Sequence, residues 1–348
     1  MMDFRRVVRA TVASTVFVFA ALSAAIPAEA ADFYEGKVVT LVVGQPAGSS
    51  YDLYARVLAQ FLPNHIPGRP TMVVDDMPGA NGIVSVQYMI NKAARDGTVI
   101  AGGVSTLTTY PQLHPDMARF DVNTLSWIGS VTKDIYVAYV WKTAPIQSYE
   151  EAKTKQAIFG GIAIGAPTVD LAVVSNALFG TKFKIVTGYV SQSAIELALE
   201  RGEVQGSFGA GYAGFRASKA DWLRDGKAKI ILQHGLEKLP DLPDVPLFID
   251  QAKTAEDRTA MEFVLTPQEF AKPYYAPPDI PPERLRMLRD AFDRTVADQD
   301  FLAAAAKAHI EVFRPRTGED VAAAYTKVTN TPRPVIERIK TILENFEH

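Results

Sequence analysis

From Val38 onward the chain alternates short apolar runs with longer amphipathic stretches, and this alternation limits the folds open to it more than any other feature. Val38-Val39-Thr40-Leu41-Val42-Val43 reads as a buried strand. Leu53, Tyr54, Val57, Leu58, Phe61 and Leu62 follow at three- and four-residue spacing, predicting a helix over 52–62 that Pro63 ends. Strand 71–75, helix 81–94 and strand 98–102 continue the series. Such βαβ units build a parallel sheet with right-handed crossovers, so the fold class is α/β.

A second series follows the run Trp127–Trp141: strand 159–164, helix 168–179, strand 183–187, helix 192–201, strand 204–208, helix 213–224 and strand 228–232. At 348 residues the chain has room for two domains. The proline-rich stretch LPDLPDVP (239–246) reads as an extended crossing between them. Beyond it, Pro281-Pro282 opens a helix with Leu285, Leu288, Phe292 and Val296 on one face. Pro334 opens a last helix with Val335, Ile339 and Ile342, and a strand at 309–313 separates the two. These amphipathic helices need a surface to cover, and the expectation is that the tail folds back on the first domain. That expectation divides the chain into 31–130 plus 236–348 and, between them, 131–235.

Residues 1–30 stand apart. Arg5, Arg6 and Arg9 precede an uncharged run from Ala10 to Pro27 and the small-residue pattern Ala28-Glu29-Ala30. This is the order of an export signal, predicting cleavage after about Ala30 and a periplasmic location; a retained anchor is the alternative. The leader holds three Arg against one Asp and one Glu, so its removal takes the net charge from −3 to −4. That balance argues against nucleic acid as a partner. With no cysteine in the sequence, disulfides and thiol chemistry are excluded.

Catalytic and cofactor signatures are sparse. His65, His114, His234, His309 and His348 are scattered without helical ligand spacing, so no metal site is expected. No G-x-S-x-G elbow occurs; Gly103-Val104-Ser105 comes nearest, with Leu107 where the second glycine belongs. Gly209, Gly211 and Gly214 spell G-x-G-x-x-G with Asp225 beyond, but no strand ending in a ribose-binding acid follows. They read as a turn or a close approach, and no cofactor and no catalytic residue is assigned.

The informative segment is Gly44-Gln45-Pro46-Ala47-Gly48-Ser49-Ser50, which joins the first strand to the first helix. Helix N-termini present unpaired N–H groups and partial positive charge, and small residues let an anion approach them. Ser49 and Asp52 also match a capping box, by which the helix satisfies its own end. Gly165-Ala166-Pro167-Thr168 and Gly188-Tyr189-Val190-Ser191-Gln192 lead into later helices in the same manner. In parallel α/β sheets such carboxyl-end loops are where ligands bind.

Several ordered motifs resemble one family, the periplasmic solute receptors of tripartite tricarboxylate transporters, called TctC or Bug proteins. Pro46-Ala47-Gly48-Ser49-Ser50-Tyr51-Asp52-Leu53-Tyr54-Ala55-Arg56 is similar to the family's P-A-G-G-S-x-D-x-x-A-R. Met77–Gly82, Ala94–Thr98, Arg201–Val204, Leu242–Pro246 and Ala276–Pro281 resemble further family segments, over about residues 33–345. The resemblance implies a two-lobed, type II periplasmic-binding-protein fold, each lobe a largely parallel sheet flanked by helices. It implies a monomer that closes on a small carboxylate ligand and presents it to membrane permease subunits. Carried over by position, the ligand-binding residues are Gln45, Ala47, Gly48, Ser49 and Ser50 from one lobe and Thr168, Ser191, Gln192 and Gly209 from the other. The chain departs from the pattern at Ser49, at Gln45 and at Val190-Ser191, where the family has Gly, Phe and Lys-Gly. Arg56 is read as a structural ion-pair partner and Asp52 as a cap or the organiser of a bridging water. Two other readings stay open: a secreted hydrolase using these loops as an oxyanion hole, and a ligand sensor for a membrane kinase.

Overall fold

The computed structural model describes residues 33–116, 118 and 120–347; residues 1–30, the expected export leader, lie outside them. Two sheets organise the chain. The first runs β2 (Thr71–Asp76), β1 (Val38–Val43), β3 (Val99–Gly102), β10 (Pro273–Ala276), β4 (Ser126–Ser130), β11 (Arg316–Thr317). The second runs β7 (Phe183–Val186), β6 (Ala157–Gly160), β8 (Gly206–Gly211), β5 (Tyr136–Trp141), β9 (Ala228–His234). Both have the same plan: three parallel strands in the order second, first, third, then one antiparallel strand, β10 or β5, that has just arrived from the other sheet. The chain therefore crosses twice, through 131–135 and back through 268–272, and forms a two-lobed α/β fold.

Strand β1 is central because both its faces are apolar. Val39, Leu41, Val42 and Val43 of β1 are fully buried, as covered parallel strands require. Helix α1 (Ser50–His65) lays Tyr54, Ala55, Val57, Leu58 and Leu62 on that sheet. It continues two residues past Pro63, which stands in the last turn. Helix α2 (Ile83–Asn91) covers the other face with Val86 and Met89, and a four-residue helix α3 (Tyr110–Leu113) follows β3. In the second lobe α4 (Pro167–Phe179) and α5 (Gln192–Glu200) flank the sheet. The helix expected over 213–224 breaks at Lys219 into α6 (Tyr212–Ser218) and α7 (Ala220–Arg224). Helix α8 (Ala255–Glu269) leads to the return crossing.

The tail helices divide between the layers. Helices α9 (Pro282–Ala297) and α10 (Gln299–Lys307) pack Leu288, Ala291, Phe292 and Phe301 into the core of β1 and α1, and α11 (Gly318–Thr329) lies on β4. Helix α12 (Arg333–Glu347) instead places Val335, Ile336 and Ile339 against α4 and α8. No strand forms over 309–313. His309 and Arg314 have φ of 55° and 46°, left-handed conformations that interrupt an extended run, and pairing resumes only at β11. The LPDLPDVP stretch is not an extended crossing either. The buried Gln233 side chain ties it to β9, accepting from the Leu239 amide at 2.7 Å and donating to the Leu242 and Val245 carbonyls at 2.9 and 2.8 Å.

His234, at the end of β9, is fully buried between Phe208 and Phe248, and neither ring nitrogen has a hydrogen-bond partner among the described residues. Burial pushes its pKa down to about 3. The unfolded chain takes up a proton near pH 6.5 and the folded one does not, so stability is intact above that pH and falls as pH drops from 6.5 toward 3. Between pH 6.5 and 5 the loss from this residue is about 2 kcal/mol. Denaturant unfolding of wild type and His234→Phe at pH 7.5 and 5.0 measures it: the variant should lose that much less stability on acidification.

Candidate functional site

Pairing of Val43 with Gly102 sets the loops after β1 and β3 side by side. Gly44 starts the first of these because a Cβ there would lie 2.4 Å from the Ser85 hydroxyl. The loop then turns through Gly48, at φ +79°, into α1. Ser49 is the N-cap, its hydroxyl accepting from the Asp52 amide at 3.2 Å. Asp52, itself buried, reaches back to accept from the Gly48 amide at 2.7 Å, and the Pro46 carbonyl takes the Ser49 amide. Only half of the capping box forms: Ser49 holds the Asp52 amide, but the Asp52 carboxylate takes the Gly48 amide, and the Ser49 amide goes to the Pro46 carbonyl. The amides of Ser50 and Tyr51 have no acceptor among the described residues, and Ala47, Gly48 and Ser50 are exposed.

Arg56 has the structural role expected of it. It bonds Asp52 at 2.6 Å and Asp76 at 2.8 Å. Burial works against the Asp52 charge, but the Gly48 amide and the Arg56 guanidinium outweigh it and hold the carboxyl below the usual range. Asp76 goes the other way, raised by burial and by the Asp52 charge. Asp52 fixes the loop and leaves the outer face of the helix end uncovered.

On the second sheet, Gly160 pairs with Ser207 and Val186, which gathers three loops at one edge. Thr168 is buried in the first turn of α4, its hydroxyl accepting from the Ile162 amide at 3.0 Å, while Asp170 accepts from Gly165. Gly209, at φ +74°, touches that turn: a Cβ there would lie 2.4 Å from the Pro167 carbonyl and 3.1 Å from the Thr168 nitrogen. Ser191 caps α5 through the Ala194 amide, and Gln192 donates to the Tyr139 hydroxyl at 3.0 Å. The amides of Thr168, Gln192 and Ser193 have no acceptor among the described residues. So Thr168, Gln192 and Gly209 surround the carboxyl ends of β6 and β8, Ser191 stands beside them, and Gln45, Ala47, Gly48, Ser49 and Ser50 share one loop of the other lobe. No hydrogen bond between the two groups occurs among the described residues.

Other residues line the cavity between the lobes, and none of these nine is among them. A cavity of about 630 Å³, counted with its open mouth, takes Ser105 and Thr106 from the loop after β3 and Gly165 and Pro167 from the loop before α4. Tyr136 at the start of β5, Gln268 on the return crossing, Thr109 and Asp170 complete its polar lining, and α4, α8 and α12 supply apolar walls. Ser105 connects it to α1, since its amide lies 3.5 Å from the Tyr51 hydroxyl. The signal was present: Gly102-Gly103-Val104-Ser105-Thr106 is another run of small residues after a strand, weighed only as a nucleophile elbow. Among the described residues no cluster of three metal-ligating side chains occurs.

Two α/β lobes joined by two crossings, with strand-end loops from both contributing to one cavity, define a binding protein of the periplasmic type. Residues 55–340 match the model of the tripartite tricarboxylate transporter family receptor, and the chain belongs to that family. Its members are periplasmic solute-binding receptors, not enzymes, which removes the hydrolase reading. Among solved structures, a TctC solute binding protein from Polaromonas aligns with a TM-score of 0.68 at 19% identity, covering 90% of this chain and 99% of its own. MatC from Rhodopseudomonas palustris, with bound malate, aligns at 0.55 and 18% identity over 88% and 99%. An R. palustris protein with adipate aligns at 0.56 and 17% over 88% and 97%.

Proposed function

We propose that the protein is exported, loses its leader near Ala30, and binds a small organic carboxylate between two lobes, the second of which takes 236–267 and α12 in addition to 131–235 because they pack into its core. It then delivers the ligand to the permease subunits of a tripartite tricarboxylate transporter. The observation that carries this reading is the pair of Ser50 and Tyr51 amides, without an acceptor among the described residues, at the start of a sixteen-residue helix. One carboxylate sits there, against the loop of Gln45, Ala47, Gly48 and Ser49. Closure brings the Thr168 and Gln192 amides, beside Ser191 and Gly209, toward the ligand's far end. The malate and adipate of the two R. palustris structures are the chemical class this arrangement suits.

Titration calorimetry with propionate, benzoate, malate, adipate and citrate tests the reading. Saturable one-to-one binding of at least one of these acids is expected. Absence of binding across the set overturns it.

A further inference from the structure

A lysine stands at this helix start that neither the motifs nor the loop geometry bring in. Lys272 belongs to the return crossing and is 9% exposed. Its ammonium lies 4.1 Å from the centroid of the Tyr51 ring and 5.2 Å from that of Tyr54. It makes no hydrogen bond or ion pair among the described residues. Tyr51 occupies the first turn of α1, and helical side chains lean back toward the N-terminus, so the ring carrying Lys272 lies beside the uncovered end of the helix. The hydroxyl of the same ring meets Ser105, which lines the inter-lobe cavity.

Most of the Lys272 side chain is buried while its ammonium still reaches solvent, so a carboxylate arriving there replaces water and displaces no protein counter-ion. Lys272 acts electrostatically on Asp134 of the outgoing crossing without forming an ion pair with it. Burial raises the Asp134 carboxyl despite the Lys272 ammonium and a Tyr136 hydrogen bond. Glu311, whose backbone bonds the Tyr54 hydroxyl, is likewise raised by burial and by Asp134.

We propose that Lys272 is a ligand-binding residue: its ammonium and the Ser50 and Tyr51 amides grip the same carboxylate, with the Tyr51 ring as one wall of the seat. This rests on the receptor reading and deepens it, since the seat then demands a fully ionised acid and rejects amides and alcohols of the same shape. The ammonium also ties ligand to crossing, because Lys272 sits on the segment that joins the lobes.

The test uses the same five acids. For whichever binds wild type, Lys272→Met, which retains the packing volume, should weaken binding about 10–100-fold, and Lys272→Arg should recover part of the loss. In the unmutated protein the ¹⁵Nζ signal of Lys272 should shift at saturation, a readout independent of how the variants fold. Undiminished binding by Lys272→Met, or an unmoved Lys272 signal in the saturated protein, overturns this inference and leaves the receptor reading standing. Failure of wild type to bind any of the five overturns both.

Discussion

Replacing Ser50 by proline is expected to weaken carboxylate binding by about 10–100-fold while leaving stability nearly unchanged. Ser50 is the first residue of α1, the one helical position where proline's fixed φ and missing N–H cost the fold nothing. Ser49 before it is extended, at φ −68° and ψ 162°, the conformation that a following proline favours. The substitution therefore deletes one amide proton and little else. A hydrogen bond to a charged acceptor contributes about 1.5–3 kcal/mol, which sets the size of the effect. Ser50→Ala, which keeps the amide and loses the hydroxyl, should bind within a few-fold of wild type. Calorimetry on the three proteins, with thermal unfolding alongside, checks both halves.

The second large effect is structural. Lys133, on the outgoing crossing, has no exposed side-chain surface and bonds Glu269 at 2.6 Å and Glu237 at 3.1 Å. Glu269 also holds Arg316 at 2.9 Å, and Glu237 also holds Arg314. The network thus pins both crossings to the segment that ends in β11. Lys133→Met leaves the Glu269 carboxylate, 9% exposed, with only part of its compensation, and should cost about 3–5 kcal/mol in denaturant unfolding. Lys153→Met removes an exposed pair with Glu150 and should cost no more than about 1 kcal/mol. The contrast isolates burial as the cause.

Much of this was legible in the residues. Alternating strand and helix patterns place β1, β7 and α4 within a residue or two, because their apolar spacing and their Gly and Pro punctuation agree, whereas α1 runs on past Pro63. The failures have local causes. Ile310 and Val312 carry a strand-like pattern, but the left-handed turns at His309 and Arg314 override it. LPDLPDVP reads as extended because Gln233, which ties it down through side-chain hydrogen bonds, lies outside it.

The site divides the same way. Ser49 and Asp52 announce a capping box in the sequence, and the structure forms half of it, using some amides and sparing others. Gly209 reads in the sequence as a turn or a close approach to a ligand, and what it meets in the structure is the Pro167 carbonyl of its own chain. Lys272 was invisible: it lies more than two hundred residues from Tyr51 in sequence, inside no motif, and only the return crossing brings the two together. The same holds for Tyr136 and Gln268, whose place at the cavity follows from topology and not from local pattern.

The most direct test of the anion seat is the ¹H–¹⁵N spectrum of the protein as a binding carboxylate is titrated in. The Ser50 and Tyr51 amides should move downfield in a saturable manner, while the Asp52 amide, already held by Ser49, moves less. Saturation of the protein with the Ser50 and Tyr51 signals unmoved would contradict the claim that this helix end holds the ligand.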